Sequence, residues 1–497
     1  MDLGGLTTFA LVALVFFLFF QLAWSKGHKA RLPPGPTPLP LLGNMLQMDS
    51  KNILTFLDKV AEKYGPVYTI YMGPQRVIML HGYEAVKEAL IDQGDEFIHR
   101  QPLEIFNTIM QGNGILSSNG EKWKQIRRFS LMTLKNFGMG KRTIEERVQE
   151  EAQHLVEELQ KTKAQAFDPA FILCCAPCNV ICSILFNQHF RYNDEKFLHL
   201  TGMLIENFRL LNTPWIQLYN FCPSLIKHLP GSHRTIYKNV LQMRGFLMEQ
   251  VKTHEETLDP NNPRDYIDCF LIKKQQVQLE EKMNPQSEFS YEELLATASN
   301  LFAAGTETTA STLRFGLLLL MKYPEIQAKV HEEIDRVVGS SRRPSMQDRV
   351  KMPYVDAVVH EIQRYISLLP FSLPRLATKD IYFRNYVIPK GTIIFLSLHS
   401  ILRDKKAFPN PHQFDPENFL DKSGNFRKSD YFMPFSLGKR LCLGEGLARM
   451  EVFLLLTTIL QNFTLKPLVD PKELDITPLR TGVFNVPHVY KLSLLPR

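Results

Sequence analysis

The stretch EELLATASNLFAAGTETTASTLRFGLLLLMKY, residues 292–323, places apolar side chains at helical spacing from end to end and reads as one long apolar helix. A helix of that kind needs a large helical body around it, and the chain offers one. TIEERVQEEAQHLVEELQKT (143–162), PEIQAKVHEEIDRVV (324–338) and MPYVDAVVHEIQRYISLL (352–369) repeat the same spacing. Strand patterns are few. PVYTIYMGPQRVIMLHG (66–82) reads as two strands around a Gly-Pro turn, and DIYFRNYVIPKGTIIFLSL (380–398) reads the same way around Pro389, Lys390 and Gly391. The expected class is mainly α with minor β, with a small sheet near each end. At 497 residues the chain exceeds the usual single-core size of about 250–300 residues. It has no internal repeat, low-complexity tract or second linker, so residues 45–497 read as one large domain. With 44% hydrophobic and 22% charged residues, disorder is excluded for most of it.

Residues 3–24, LGGLTTFALVALVFFLFFQLAW, carry no charge and at helical rise would cross a bilayer core of about 30 Å. The rival is a cleaved secretory signal, but the residue ahead of the apolar run is the acidic Asp2, and no A-x-A site follows. We read residues 1–25 as an N-terminal transmembrane anchor. Lys26, His28, Lys29 and Arg31 come next and place the body on the cytoplasmic side. Residues 26–44 form a basic connector with prolines at 33, 34, 36, 38 and 40, stiff and extended by expectation. The net charge of +7 suits an acidic protein or an anionic membrane surface; no nucleic-acid-binding motif accompanies it.

Seven cysteines in a cytoplasmic body should be reduced. Four of them, Cys174, Cys175, Cys178 and Cys182 in FILCCAPCNVICSILF, suggest a metal box. The spacing matches neither a zinc site nor a ferredoxin run, the flanks are apolar, and positions 174, 178 and 182 share one helical face. They read as small buried hydrophobes. Cys442, in FSLGKRLCLGEG (435–446), differs. Gly438 and Gly444 allow a tight bend, Lys439 and Arg440 favour a thiolate, and a helix begins just after. Zinc is the weaker ligand there, because no second nearby ligand exists.

The string F-S-x-G-x-R-x-C-x-G from Phe435 to Gly444 resembles the haem-binding loop of the cytochrome P-450 superfamily. The resemblance implies a single large haem domain of that fold. It implies haem b, iron protoporphyrin IX, with Cys442 as axial thiolate, Phe435 against the sulfur and Arg440 paired with a propionate. AAGTETTAST (303–312) would by itself be a small-residue packing face. Ala304 and Thr308 lie four apart on one side, and Gly305 leaves room for a flat or small ligand. It resembles the family's oxygen-binding groove, with Glu307 and Thr308 as the acid-alcohol pair that delivers protons. Glu361 and Arg364 in HEIQRY, a surface ion pair if taken alone, resemble the family's buried E-x-x-R pair. The third, cationic member often present in the family is replaced here by Asn418 in PENF. Trp123 and Arg127 in WKQIRRFS match the propionate-holding W-x-x-x-R helix, joined by Arg100 and Arg375.

The likeness covers nearly the whole chain and runs closest to the vertebrate microsomal family 2, subfamily C. Two departures bear on substrate choice: Arg375 stands where His is common, and Ser117 where a bulky aromatic is common. The pocket implied comprises Ile115, Leu116, Phe302, Ala304, Leu369, Leu373, Val483 and Phe484. NTPWIQLYNFCPSLIKHL (212–229) reads either as a bilayer-dipping segment or as a buried helix junction.

The implied activity is an NADPH- and O2-dependent monooxygenase, an oxidoreductase acting on lipophilic substrates such as xenobiotics, polyunsaturated fatty acids (arachidonic acid among them) or steroids. A thiolate ligand favours oxygen activation over reversible binding. No G-x-G-x-x-G opens a βαβ unit, so electrons must arrive from a partner. The resemblance names NADPH-cytochrome P-450 reductase and cytochrome b5, drawn to a face carrying Lys122, Lys124, Arg128, Lys135, Lys141 and Lys439. It places the protein in the endoplasmic reticulum membrane as a single-pass protein. The alternatives are a reductase-independent haem-thiolate isomerase or peroxygenase, and a non-catalytic haem-binding sensor.

Overall fold

The computed structural model describes residue 12 and residues 32–48, 53–136, 142–280 and 288–497. Apart from residue 12, the apolar run read as an anchor lies outside the described residues, as does Lys141. Among the described residues no helix is long and apolar enough to cross a membrane. The described residues form two compact units, one made of those from 32 up to Gln101 together with Phe371–Ser400, the other of those in Pro102–Pro370 together with Ile401–Arg497.

The first unit holds helix α1 (Ile53–Tyr64) and strands β1 (Val67–Met72), β2 (Gln75–His81), β3 (Arg375–Leu376), β4 (Ile381–Phe383), β5 (Tyr386–Ile388) and β6 (Ile393–Ser397). β1 and β2 pair antiparallel around Gly73, Val67 opposite Leu80, as their sequence suggests. The second strand region differs from expectation. Its hairpin is β4–β5, turning at Arg384 (φ +53) and Asn385, while the residues after Pro389–Gly391 form β6, which pairs parallel with β2 and antiparallel with β3. Two expected end sheets are thus partly one sheet, ordered β1-β2-β6-β3. Val77, Ile78, Met79 and Leu80 are all buried, the continuous apolar run of a strand covered on both faces. The proline connector is also more than a spacer. Thr69 donates its hydroxyl to Pro33 O (2.7 Å) and its amide to Pro34 O (2.8 Å), while Asn44 and Tyr71 exchange further bonds, so residues 33–44 are stitched along β1.

The second unit holds α2 (Gly120–Asn136), α3 (Arg142–Gln160), α4 (Ala170–Phe186), α5 (Glu195–Leu211), α6 (Pro214–Phe221), α7 (Ser232–Glu256), α8 (Tyr266–Glu280), α9 (Tyr291–Lys322), α10 (Pro324–Val337), α11 (Pro353–Ile366) and α12 (Glu445–Asn462). Two antiparallel pairs complete it, β7 (Phe463–Pro467) with β10 (Leu492–Pro496) and β8 (Pro478–Arg480) with β9 (Val486–Pro487). The long apolar segment is α9. Ser290 caps it by accepting from Glu293 N at 3.1 Å, and the Tyr323–Pro324 step ends it. Leu313, Leu317, Leu318, Leu319 and Leu320 are buried, each side chain contributing about 1.5–3 kcal/mol. The threonines do not break the helix: Thr306, Thr308 and Thr312 return their hydroxyls to the carbonyl four residues back, at 2.7–2.8 Å. Gly305 serves helix packing, since a Cβ there would sit 3.0 Å from Ile181 Cδ1 of α4. This corrects its reading as space for a ligand.

Glu361 and Arg364 on α11 have no exposed side-chain surface and pair in bidentate fashion, Nε to Oε2 at 2.7 Å and Nη2 to Oε1 at 2.6 Å. Arg364 also donates to the carbonyls of Leu402, Pro411 and Gln413 at 2.8–3.0 Å. Glu361 accepts from Asp415 N at 2.8 Å and from the Asn418 amide at 3.4 Å. The missing third cation is therefore replaced by a neutral donor and by main chain. Removing Arg364 leaves a buried carboxylate without its counter-charge, so Arg364→Ala should lower urea-unfolding stability by about 3–5 kcal/mol, whereas a surface pair would cost under about 1 kcal/mol. A loss of that smaller size would contradict the buried-pair account.

Candidate active site

Phe435–Gly444 forms a tight loop ahead of α12. Ser436 (φ +64) and Gly438 (φ +72) turn the backbone, and Cys442 N donates to Phe435 O at 3.1 Å, closing it. The Arg449 guanidinium, from the first turns of α12, lies 5.0 Å from the Phe435 ring centre. The amides of Gly444 and Glu445 at the start of α12 donate to the Cys442 sulfur. That side chain has open surface, yet burial is the largest influence on it and pushes its thiol up. The two amides and Arg127 pull the thiol back down, while Glu445 adds to the rise.

Arg440 is not the cation that acts on the sulfur, contrary to expectation. Its guanidinium lies 3.8 Å from the centre of the Trp123 ring and donates to Ser118 O at 2.7 Å and Asn119 Oδ1 at 2.9 Å. Arg127 takes that role, with Nη2 donating to Leu441 O at 2.5 Å. α2 thus brings Trp123 and Arg127 onto the cysteine loop, as the W-x-x-x-R spacing suggests. Trp123 Nε1 is buried and meets no acceptor among the described residues, which suits a carboxylate of a bound group. The donor set therefore fits haem: one desolvated sulfur, an indole N–H in want of an acceptor, and two arginines. Arg100 and Arg375 belong to the first unit, where they face each other in a backbone bridge; Arg100 donates to Leu373 O, and Arg375 to Ile98 O at 3.5 Å.

Beyond the exposed Tyr291 and Glu292 at its start, α9 is mostly closed and opens at its middle, where Ala304 is exposed and Ala303, Gly305 and Thr308 are partly open. Glu307, next to Thr308, points elsewhere. It is buried, accepts from Ser311 Oγ at 2.9 Å, and accepts from Cys174 Sγ of α4 at 3.7 Å. Burial raises its carboxyl, against the pull of Arg314, Ser311 and Cys174. Cys174, Cys175, Cys178 and Cys182 are all buried as expected, but Cys174 is also a donor to the expected relay acid, which its apolar setting concealed. A second acid went unnoticed in the sequence. Glu451 of α12 accepts from Thr309 Oγ1 at 3.0 Å, its other oxygen is buried and has no partner among the described residues, and burial lifts its carboxyl to about 8. The available signal was an acid inside the apolar run LARMEVFLLL.

Of the expected pocket residues, Ile115 and Phe484 are buried, Leu116 and Ala304 are exposed, and Leu369 and Val483 are half-buried. Phe302 is fully buried with its ring 6.4 Å from that of Phe186, a core position. Leu373 belongs to the first unit. A cavity of about 610 Å³ between α5 and α7 contains none of these residues; its lining includes His199, Glu206, Arg234 and Lys238, a poor match to an apolar substrate. The 212–229 segment divides: in its first half Trp215 Nε1 donates to His233 Nδ1 at 3.0 Å and Tyr219 stacks on the same ring at 4.9 Å, whereas Leu225 and Leu229 in its second half are exposed.

Residues 33–494 match the family model for cytochrome P450. The chain belongs to the cytochrome P450 family. Over 498 aligned residues, covering both chains completely, it is 61% identical to cytochrome P450 2C44 of Mus musculus and 60% identical to cytochrome P450 2C23 of Rattus norvegicus. It is 57% identical to cytochrome P450 2C5 of Oryctolagus cuniculus, with 98% of each chain covered. As a cytochrome P450 of the 2C type it is an oxidoreductase, a monooxygenase that carries haem on a cysteine thiolate and draws electrons from a redox partner.

Glu451 gives this P450 a pH signature. With its carboxyl raised from 4.5 to about 8, the folded protein keeps a proton that the unfolded chain releases. The group's stabilising contribution is therefore full below pH 4.5 and is lost as pH rises to about 8. Glu451→Gln removes this dependence, so the variant should gain stability relative to the parent between pH 5 and 8 and hold a constant difference above. Parallel unfolding profiles across that range would show that Glu451 titrates normally.

Proposed function

We propose that the Cys442 thiolate would hold the haem and that the protein is a membrane-bound monooxygenase of lipophilic compounds, including xenobiotics, polyunsaturated fatty acids such as arachidonic acid, and steroids. The observation that carries this reading is the Cys442 sulfur: desolvated, open on one side, and met by two helix-start amides. Haem bound there would supply the chemistry of O2 activation, which with two electrons from NADPH and two protons places one oxygen atom in a C–H or C=C bond and releases the other as water. Trp123, Arg127 and Arg440 would hold its carboxylates. Ala304 sets the floor on which substrate lies, with Ile115, Leu116, Leu369, Val483 and Phe484 around it; Phe302 supports that floor from the core. Thr308 holds a proton donor at the open stripe of α9. Glu307 keeps a raised carboxyl in reserve and must turn away from Ser311 and Cys174 to pass a proton toward Thr308.

Electrons come from NADPH-cytochrome P450 reductase, with cytochrome b5 as a second donor. Their docking draws on Lys124, Arg128, Lys135 and Lys439. Lys122 pairs with the buried Glu293 at 3.0 Å and Lys124 with Glu121, exposed beside it, at 2.6 Å. The uncharged N-terminal stretch anchors the protein as a single pass in the endoplasmic reticulum membrane.

Reduced protein exposed to carbon monoxide should show the strongly red-shifted absorbance band of thiolate ligation, and turnover of a lipid panel should require both reductase and NADPH. Turnover with peroxide alone, at the same rate, would instead favour the peroxygenase. Thr308→Ala should keep the carbon monoxide band while product per NADPH falls several-fold; unchanged coupling would remove Thr308 from proton delivery.

A further inference from the structure

Helices α4 and α9 lie close where Gly305 meets Ile181, and Cys174 stands two turns before Ile181 on the same face of α4. On α9, Glu307, Ser311 and Arg314 follow at four and then three residues and share one stripe. Both oxygens of Glu307 are held along this seam. Ser311 Oγ donates to Oε1 at 2.9 Å, and Cys174 Sγ donates to Oε2 at 3.7 Å. All four side chains are buried. The Ser311 bond stays within α9 and moves with it, whereas the thiol is the one donor to this carboxylate from outside α9 among the described residues. Burial pushes the Cys174 thiol well up, with Glu307, Cys178 and Cys175 adding to the rise and Arg314 opposing it, so the group stays S–H and keeps its proton to donate. Arg314 also pulls the Glu307 carboxyl down from the same helix, against burial. Tyr490, its hydroxyl pushed up by burial, donates to Arg314 O at 2.7 Å, and Glu451 of α12 meets α9 at Thr309.

We propose that Cys174 is a positioning residue for the oxygenation reaction: its S–H holds Glu307 against α4 and so governs how readily that acid turns to supply Thr308. The assignment rests on reading Glu307 as the proton source. A thiol suits the task because it is a weak donor. A hydroxyl in its place would bind the carboxylate more firmly, whereas a methyl group would leave Oε2 without a cross-helix partner. Loss of a donor to the carboxylate favours the neutral acid, so Glu307 would keep its proton to higher pH. A proton source works while protonated, and the alkaline fall in product formation therefore moves up with it. Sequence inspection passes over Cys174 because its partner is 133 positions away.

The test uses the full-length haem-loaded protein with reductase, NADPH and lauric acid as probe. In the infrared, the S–H band that disappears in Cys174→Ala belongs to Cys174, and it should shift in Glu307→Gln; a band that does not move would overturn the contact. Cys174→Ala should carry the alkaline limb of the kcat profile to higher pH and raise product per NADPH about twofold on that limb, with KM and the carbon monoxide band kept. Cys174→Ser, which retains a donor, should return the limb to the parental pH or below. In a Glu307→Gln background, Cys174→Ala should have no further effect on the profile. A limb at the parental pH in Cys174→Ala, or the same change with and without Glu307, would reduce Cys174 to packing and overturn its positioning role. Glu307→Gln with the parental profile and product per NADPH would overturn the proton-source reading and the positioning role with it, a result distinct from an unmoved S–H band.

Discussion

A mostly enclosed helix must find a partner for each polar atom it carries, and the second unit is organised by how α9 does so. Thr306 and Thr312 satisfy themselves on their own backbone. Four further polar side chains, Glu293, Asn300, Glu307 and Thr309, are spent on joints. Glu293 and Asn300 hold the 113–118 loop, Glu307 reaches α4 through Cys174, and Thr309 reaches α12 through Glu451. Each joint fastens a different element to the same rod, which leaves the stripe of Ala304 and Thr308 as its open middle. A buried polar atom without its bond costs about 1–3 kcal/mol, so these joints define positions more narrowly than apolar contact alone.

The sulfur site obeys the same economy of desolvation. Burial alone would keep Cys442 protonated; the amides at the start of α12 and the Arg127 guanidinium oppose that rise from fixed positions. Their orientation is set by the closed loop from Phe435 and by the stacking of Arg440 on Trp123. In α11 the bidentate Glu361–Arg364 pair, surrounded by carbonyls and the Asn418 amide, ties the segment around residues 402–418 to the helix. Membership of the cytochrome P450 family explains why these parts occur together; the physical roles follow from distances and burial.

What could be read in the sequence was what is local. The long helices follow from spacing, and the cysteine loop from glycines around one thiol beside a helix start. The β1–β2 hairpin follows from its Gly-Pro turn. Contacts between distant residues were hidden. Nothing near Cys174 reveals that Glu307, 133 positions on, receives its S–H, nor that Arg440 would turn to Trp123 while Arg127 faced the sulfur. The 380–398 region misled because two turns lie within it, and the one at Arg384–Asn385 closes the hairpin while the one at Pro389–Gly391 releases β6 to a parallel partner. Trp215 and Tyr219, open to a membrane reading, turn inward because His233 offers both a hydrogen-bond acceptor and a stacking face.

The account stands on sulfur ligation by one side chain. Iron X-ray absorption of the purified haem protein tests this most directly: a sulfur atom in the first coordination shell of the parent, absent in Cys442→Ser that still retains haem, is the predicted result. A first shell of nitrogen and oxygen only, or a sulfur signal that persists in the variant, would contradict it.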